Sequence, residues 1–232
     1  MNTAVIDYTI NNYSDYCSNF SFYLQKRRDM IHPKGFEGCF LYRKKKIVFV
    51  NIDKCASTSF KEALRNADVC DMSLKARKKY WMQGNLEPAK DTDILKLKNY
   101  FLLNDYKFYA IIRDPKSRYI SGLHEFVTRY NLPKEYVVKN LKDNKFIFDE
   151  HTAPQHCFLF LCSNNLNYLK LDDQIADKVS NLFERQLKVE HKNSSIPRVK
   201  DECKKLFNQY CLNNENFHTL YKKDFRLYES AL

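Results

Sequence analysis

The stretch KIVFVNIDKCASTSFKEAL, residues 46–64, contains a strand pattern followed directly by a helix pattern. Its first part, residues 46–51, is a short run of β-branched and aromatic side chains with charged residues on both sides, which is typical of a buried strand. In its last part, apolar residues recur at the i, i+3 and i+4 positions of one helix face, at Phe60, Ala63 and Leu64. The stretch therefore predicts a strand, a tight turn over residues 53–57, and a helix.

A second unit of the same kind follows about 60 residues later. Residues 106–112 form another strand pattern, and Asp114 and Pro115 can then start a helix, because aspartate is a good cap and a proline at the first position loses no hydrogen bond. The buried face of this helix is expected to carry Tyr119, Ile120, Leu123 and Val127. Two such units predict an α/β fold with a central, largely parallel sheet flanked by helices. Ligands of such folds bind at the carboxyl ends of the strands.

The remaining sequence gives a weaker pattern of elements. We expect a helix around residues 154–163, a strand near 167–171, a helix over 174–186, a polar loop at 191–198, and helices over 199–212 and 214–226. No linker or low-complexity tract divides the 232 residues. A single domain over residues 1–232 is therefore expected, with residues 1–40 as an N-terminal extension of unclear role.

Composition limits the partners and the compartment. The net charge of +11 indicates an anionic partner, such as a nucleotide, an acidic polysaccharide, a nucleic acid or a membrane surface. The longest apolar runs have five residues, far fewer than the roughly 20 that span a bilayer, and the N-terminus lacks a secretory pattern. We therefore expect a cytoplasmic protein, tethered to a membrane only if an anchor has been removed. The eight cysteines show no metal-ligand spacing and are expected to be free thiols, and no metal site is expected.

The turn between the first strand and its helix suits a phosphate group. Backbone N–H groups and the positive end of the helix dipole meet there, Lys54 adds a full charge, and hydroxyl donors follow at Ser57, Thr58 and Ser59. The stretch has no glycine, so it departs from the G-x-x-x-x-G-K-[ST] pattern of Walker-type enzymes. A capped helix with an incidental lysine would explain the same residues without a ligand. Two other functions stay open, a basic nucleic-acid-binding protein and a nucleotide kinase with a degenerate loop.

Several motifs resemble those of sulfotransferases. KCASTSF, residues 54–60, is similar to the 5'-phosphosulfate motif, above all that of the uronyl 2-O and chondroitin carbohydrate enzymes, and RDPKSRYIS, residues 113–121, resembles the signature that holds the 3'-phosphate. DEHTAPQHCFL resembles the H-x-x-P-Q segment of the chondroitin and HNK-1 types, and VEHKNSS and LYKKDFRLYE are similar to later segments. The resemblance covers about residues 45–230 and implies the P-loop-like nucleotide-binding fold of sulfotransferases.

The resemblance also implies a reaction and a binding site. The donor would be 3'-phosphoadenosine 5'-phosphosulfate (PAPS), with 3'-phosphoadenosine 5'-phosphate as product, and the acceptor a hydroxyl group of a saccharide, with no metal or nucleic acid involved. Lys54 would neutralise charge on the leaving oxygen. The other implied donor-binding residues are Cys55, Ala56, Ser57, Thr58, Ser59, Arg113, Ser121 and, in a late loop, Arg198. Arg118 could also contact the donor, but an exposed position on the helix is the preferred expectation.

The general base is less clearly indicated. Relatives use a histidine or glutamate that usually lies between the two motifs, but this chain has no histidine between His32 and His124. We rank His151 first, because a neutral imidazole can act near pH 7, followed by Glu87 and His124. Asp91 and Asp93 are further candidate carboxylates between the two motifs, and Glu62 lies on the first predicted helix.

Overall fold

A computed structural model describes residues 39–42, 45–50, 52–66, 103–149, 151–159, 166–189 and 196–232. Within these ranges four strands form one sheet in the order β1-β2-β3-β4, where β1 is Cys39–Tyr42, β2 Ile47–Val50, β3 Lys107–Ile112 and β4 Leu166–Lys170. Strand β1 is antiparallel to β2, whereas β2, β3 and β4 are parallel. The predicted α/β fold with a largely parallel sheet is confirmed.

The strands of the two predicted strand-to-helix units, β2 and β3, are neighbours at the centre of this sheet, and the strand expected near residues 167–171 is β4. All four residues of β2 are buried, as expected for a parallel strand covered on both faces. Val50 of β2 pairs with Ala110 of β3, so the carboxyl ends of both strands lie at the same edge. The turns that follow β2 and β3 therefore meet at this edge.

Six helices and one short 3-10 turn surround the sheet within the part of the chain that the structure describes. They are α1 Ser57–Asn66, α2 Pro115–Tyr130, α3 Lys134–Lys142, the 3-10 turn Gln155–Phe158, α4 Ile175–Phe183, α5 Pro197–Tyr210 and α6 Glu215–Ser230. Both predicted strand-to-helix units are present. None of the described helices combines the length and apolarity needed to cross a bilayer.

Some predicted boundaries are wrong. The helix expected around 154–163 is only the 3-10 turn Gln155–Phe158 up to Leu159, and residues 160–165 lie outside the described part. Pro197 and Arg198 open helix α5 and do not belong to the polar loop, because a proline fits the first helical position. The sequence analysis did not predict β1 and α3.

The apolar side chains form two clusters. One lies around the sheet, α1 and α4, and it contains the predicted helix face Phe60, Ala63 and Leu64. The other lies between α2, α3, α5 and α6, where rings of α5 and α6 pack around Tyr119. Phe158 packs against both clusters, so the segment that contains it lies between sheet and helices.

Four cysteines fall among residues whose side chains are described, and all are buried free thiols, as predicted: Cys55, Cys157, Cys203 and Cys211. Burial raises the pKa of the Cys55 thiol to about 11, and it raises the pKa values of Cys203 and Cys211 to about 12. At neutral pH these three thiols therefore keep their protons.

Candidate functional site

The turn after β2 has an unusual backbone for a segment without glycine. Lys54 has φ 65° and Ala56 has φ 57°, both in the left-handed region that costs an L-residue about 1–2 kcal/mol. The Cys55 N–H group between them donates to the Ile52 carbonyl oxygen at 3.2 Å. Turns of this kind gather N–H groups into a concave site for anions, and strained backbone of this kind concentrates at functional sites. The turn is therefore a candidate phosphate site.

Two arginines from the second unit hold the carbonyl groups of this turn. Arg118 Nε donates to the Asp53 carbonyl oxygen at 2.9 Å, and Arg113 Nη1 donates to the Lys54 carbonyl oxygen at 3.0 Å. The C=O and N–H groups of a trans peptide point in opposite directions, so a bound Asp53 carbonyl turns the Lys54 N–H group away from Arg118. The arginines therefore help to set the direction in which the turn presents its donors.

The expectation that Arg118 is exposed is wrong. Its side chain is 1% exposed, and its Nη1 atom also donates to the Ala153 carbonyl oxygen. Its guanidinium lies 5.5 Å from the centre of the Phe158 ring. Helix α2 turns this residue toward the sheet, and only the tertiary structure reveals the backbone carbonyls that it meets there.

The turn after β3 is regular and locally stabilised. The Asp114 carboxylate accepts from the Ser117 N–H group at 2.8 Å, and Pro115 is the first residue of α2, as predicted. Arg113 is half-buried at the start of this turn, and burial lowers the pKa of its guanidinium. Ser121, also half-buried, follows two turns along α2. The two predicted phosphate-binding motifs therefore meet at one edge of the sheet.

An acidic residue that the sequence analysis did not single out lies beside Lys54. Glu125 Oε2 is 3.6 Å from Lys54 Nζ, and Glu125 Oε1 accepts from Arg129 Nη2 at 2.8 Å. Partial burial works to raise the pKa of the Glu125 carboxyl, but Lys54, Arg129 and His151 outweigh it, so this pKa is lowered. Glu125 is therefore a carboxylate at neutral pH. The spacing of four residues from Ser121 places Glu125 on the same face of the predicted helix, but its contact with Lys54 depends on the folded chain.

His151 lies close enough to Glu125 to contribute to the lowered pKa of its carboxyl group. It is 8% exposed, and its Nδ1 atom is 2.8 Å from Asp149 Oδ2. Gly122 of α2 packs against it so closely that a Cβ atom there would lie 2.2 Å from the His151 carbonyl oxygen. The absence of a side chain at Gly122 thus allows the His151 segment to approach α2.

His124 is the other predicted histidine, and it is 7% exposed on α2. Within the described part of the chain its Nε2 atom has no hydrogen-bond partner. Burial, followed by the positive charges of Lys54 and Lys200, lowers the pKa of its imidazole, which is therefore neutral at pH 7.

The other predicted site residues have mixed positions. Ser57 opens α1, Thr58 is exposed and Ser59 is half-buried in its first turn, while the Cys55 side chain is buried. Arg198 is exposed on α5, 3.9 Å from Glu202. Glu87, Asp91 and Asp93 lie outside the described residues. The described residues contain no group of His, Cys, Asp or Glu side chains that could hold a metal ion.

Comparison with known proteins gives one match. The model of the sulfotransferase family matches residues 38–229, which include both turns and the His151 segment. No match was found among curated proteins or among solved structures.

Proposed function

The chain belongs to the sulfotransferase family and is an enzyme that transfers sulfate, and we propose that its donor is PAPS and its acceptor a saccharide hydroxyl group. The observation that carries this proposal is the contact of 3.0 Å between Arg113 Nη1 and the Lys54 carbonyl oxygen. It joins a turn suited to a phosphosulfate to a turn suited to a second phosphate.

The residues at the sheet edge fit such a donor. The Lys54 turn would bind the 5'-phosphosulfate through backbone N–H groups and the start of α1. Arg113 uses one of its five donors on the Lys54 carbonyl, so others can bind a 3'-phosphate together with Ser121. The donor supplies the activated sulfuryl group. Lys54 stabilises the negative charge that develops at the leaving oxygen, and fixed cations of this kind account for much of the rate in related transfers.

We assign the general base to His151. Hydrogen bonding of Nδ1–H to Asp149 selects the tautomer in which Nε2 carries the lone pair, and this lone pair is the acceptor for the proton of an acceptor hydroxyl. The Asp149 carboxylate also accepts from the His151 backbone N–H group at 2.9 Å, which fixes the segment. His124 is the second candidate, favoured by its Nε2 atom, which has no partner among the described residues.

A saccharide acceptor rests on the resemblance of both motifs to carbohydrate enzymes and on the net charge of +11, which suits an acidic glycan. The basic cluster at residues 75–79, where such a glycan could bind, lies outside the described residues.

Donor binding and transfer test the proposal. Calorimetry with 3'-phosphoadenosine 5'-phosphate and transfer of radiolabelled sulfate from PAPS to a panel of glycans are measured for the wild type, Lys54→Ala and Arg113→Ala. We expect Lys54→Ala to lower kcat by about 100-fold or more, and Arg113→Ala to weaken binding by about 10- to 100-fold. Lys205→Ala and Arg226→Ala, at exposed positions, are the matched controls.

Absence of binding to the wild type, or undiminished binding to both site variants, contradicts the donor assignment. His151→Ala is expected to lower kcat by about 10²- to 10⁴-fold with nucleotide affinity unchanged. If His124→Ala shows this loss and His151→Ala does not, the base is His124.

A further inference from the structure

One buried side chain contacts both phosphate turns. Gln155 is 0% exposed, and its Oε1 atom accepts from the Arg113 N–H group at 2.9 Å and from the Cys55 thiol at 3.0 Å. Its Nε2 atom donates to the Arg113 carbonyl oxygen at 2.8 Å. A single carboxamide thus joins the turn after β2 to the turn after β3.

The bonds to Arg113 replace a missing strand partner. In the β2–β3 register, where Val50 pairs with Ala110, the position opposite Arg113 falls at Asp53, which lies in the turn after β2 and not in a strand. Arg113 would then present its backbone N–H and C=O groups to a gap, which is costly for buried groups. The Gln155 carboxamide binds both groups in the way that a neighbouring strand would. Because both peptide groups of Arg113 are held, the direction in which its side chain leaves the backbone is fixed.

Gln155 is in turn held by the last helix. Asp224 of α6 is 1% exposed, and its carboxylate accepts from the backbone N–H groups of Gln155 and His156. The same carboxylate lies 2.8 Å from His156 Nδ1. One turn earlier on α6, the Tyr221 hydroxyl donates to the Thr152 carbonyl oxygen. The C-terminal helix therefore fixes the segment from which Gln155 reaches the two turns.

From these contacts we propose that Gln155 is a positioning residue of the donor site, which sets the spacing of the Lys54 and Arg113 turns, and that Asp224 anchors it. This inference rests on the proposed donor site. Gln155 is buried behind the turns, so it acts on affinity through Arg113 and Cys55. A purely structural role would lower stability without a selective loss of donor affinity.

The substitution Gln155→Met tests this role, because it keeps the side-chain volume and removes all three hydrogen bonds. We expect the Kd for 3'-phosphoadenosine 5'-phosphate, measured by calorimetry, to rise by about 10- to 100-fold, as the loss of buried hydrogen-bond partners predicts. The KM for the acceptor should change less than about twofold. Tyr221→Phe is the matched control for stability, because it weakens the contact between the same segment and α6 without touching either turn. Gln209→Met, at an exposed position of α5, controls for the chemical change.

A double-mutant cycle isolates the route of the effect. If Gln155 acts through Arg113, the fold loss of nucleotide affinity in the double variant will be smaller than the product of the fold losses in Gln155→Met and Arg113→Ala. Asp224→Asn provides a second variant should Gln155→Met fail to fold, and we expect it to weaken nucleotide binding by about 3- to 10-fold because one acceptor oxygen remains.

The outcomes for the wild type and the variants are distinguishable. A wild type that binds no nucleotide contradicts the donor assignment itself. A wild type that binds, with Gln155→Met or Asp224→Asn equally tight, overturns the positioning role. The positioning role is also overturned if Tyr221→Phe loses as much nucleotide affinity as Gln155→Met, because general destabilisation of the segment would then explain the loss in both variants.

Discussion

The two turns at the carboxyl edge of the sheet reach neighbouring positions by different physical means. The turn after β3 is stabilised by its own sequence, with Asp114 as cap and Pro115 at the first helical position. The turn after β2 contains Lys54 and Ala56 with positive φ and no glycine to relieve the strain. Arg113 and Arg118 donate hydrogen bonds to the carbonyl groups of that strained turn.

The first turn therefore depends on the second. A locally capped helix start keeps its shape without distant contacts, whereas a strained turn persists only where its surroundings hold it. In this protein the surroundings are side chains from the RDPKSRYIS motif and the Gln155 carboxamide. Substitutions at each turn and at its supports separate the two kinds of stabilisation.

Arg118→Met should have the largest effect, because it leaves the carbonyl groups of Asp53 and Ala153 without their guanidinium partner. We expect a loss of about 2–5 kcal/mol in the free energy of unfolding, measured with urea, and weaker binding of 3'-phosphoadenosine 5'-phosphate. Arg226→Met, at an exposed position of α6, should change stability by less than about 0.5 kcal/mol. Equal stability of the two variants would show that the strained turn does not need Arg118.

Asp114→Ala removes the local support of the second turn. The expected loss is about 1 kcal/mol of unfolding free energy, the usual value of a helix cap, with nucleotide affinity changed less than about threefold. The affinity should persist because Gln155 still holds the Arg113 backbone. A large loss of nucleotide affinity with an unchanged free energy of unfolding would mean that the Asp114 cap, and not Gln155, positions Arg113.

Ala56→Gly relieves strain in the first turn. Glycine adopts positive φ without penalty but loses more entropy on folding, so the expected net gain is a few tenths to about 1 kcal/mol, seen as a higher Tm. Ala63→Gly makes the same chemical change within helix α1 and should cost about 1 kcal/mol. A gain at Ala63 or a loss at Ala56 would contradict the assignment of strain to the turn.

The smallest expected effect is a change in the pKa of His124. This residue lies on helix α2, after the second turn, but the charge of Lys54 in the first turn contributes to its lowered pKa. Burial and then the Lys54 charge lower the pKa of its imidazole from 6.5, so Lys54→Met should raise this pKa toward its ordinary value in an NMR titration. In the unfolded chain this imidazole takes up a proton near pH 6.5, whereas in the folded protein it does so only at lower pH. His124 therefore lowers the free energy of unfolding as the pH falls below 6.5, and this loss should be smaller in Lys54→Met. An unchanged pKa in the variant would place Lys54 away from His124.

Much of the fold could be predicted because its pattern is local. The all-buried strand β2, the face of α1 and the Asp114 cap each depend on residues within a few positions of one another. The roles of Arg118 and Glu125 could not be predicted in this way. Their partners, Asp53 and Lys54, belong to the other strand-to-helix unit, so no periodic pattern indicates the contacts.

Residue order alone was enough to establish the two strand-to-helix units and to place Lys54 and Arg113 at strand ends, because hydrophobic periodicity and helix capping act over short distances. The contacts of Arg113 and Gln155 with both turns, and the position of Glu125 beside Lys54, depend on the folded chain. Strand pairing brings distant backbone groups to one edge, and the side chains that satisfy them are selected by proximity in space. The local sequence therefore sets where the turn lies, whereas the rest of the fold maintains its strained backbone.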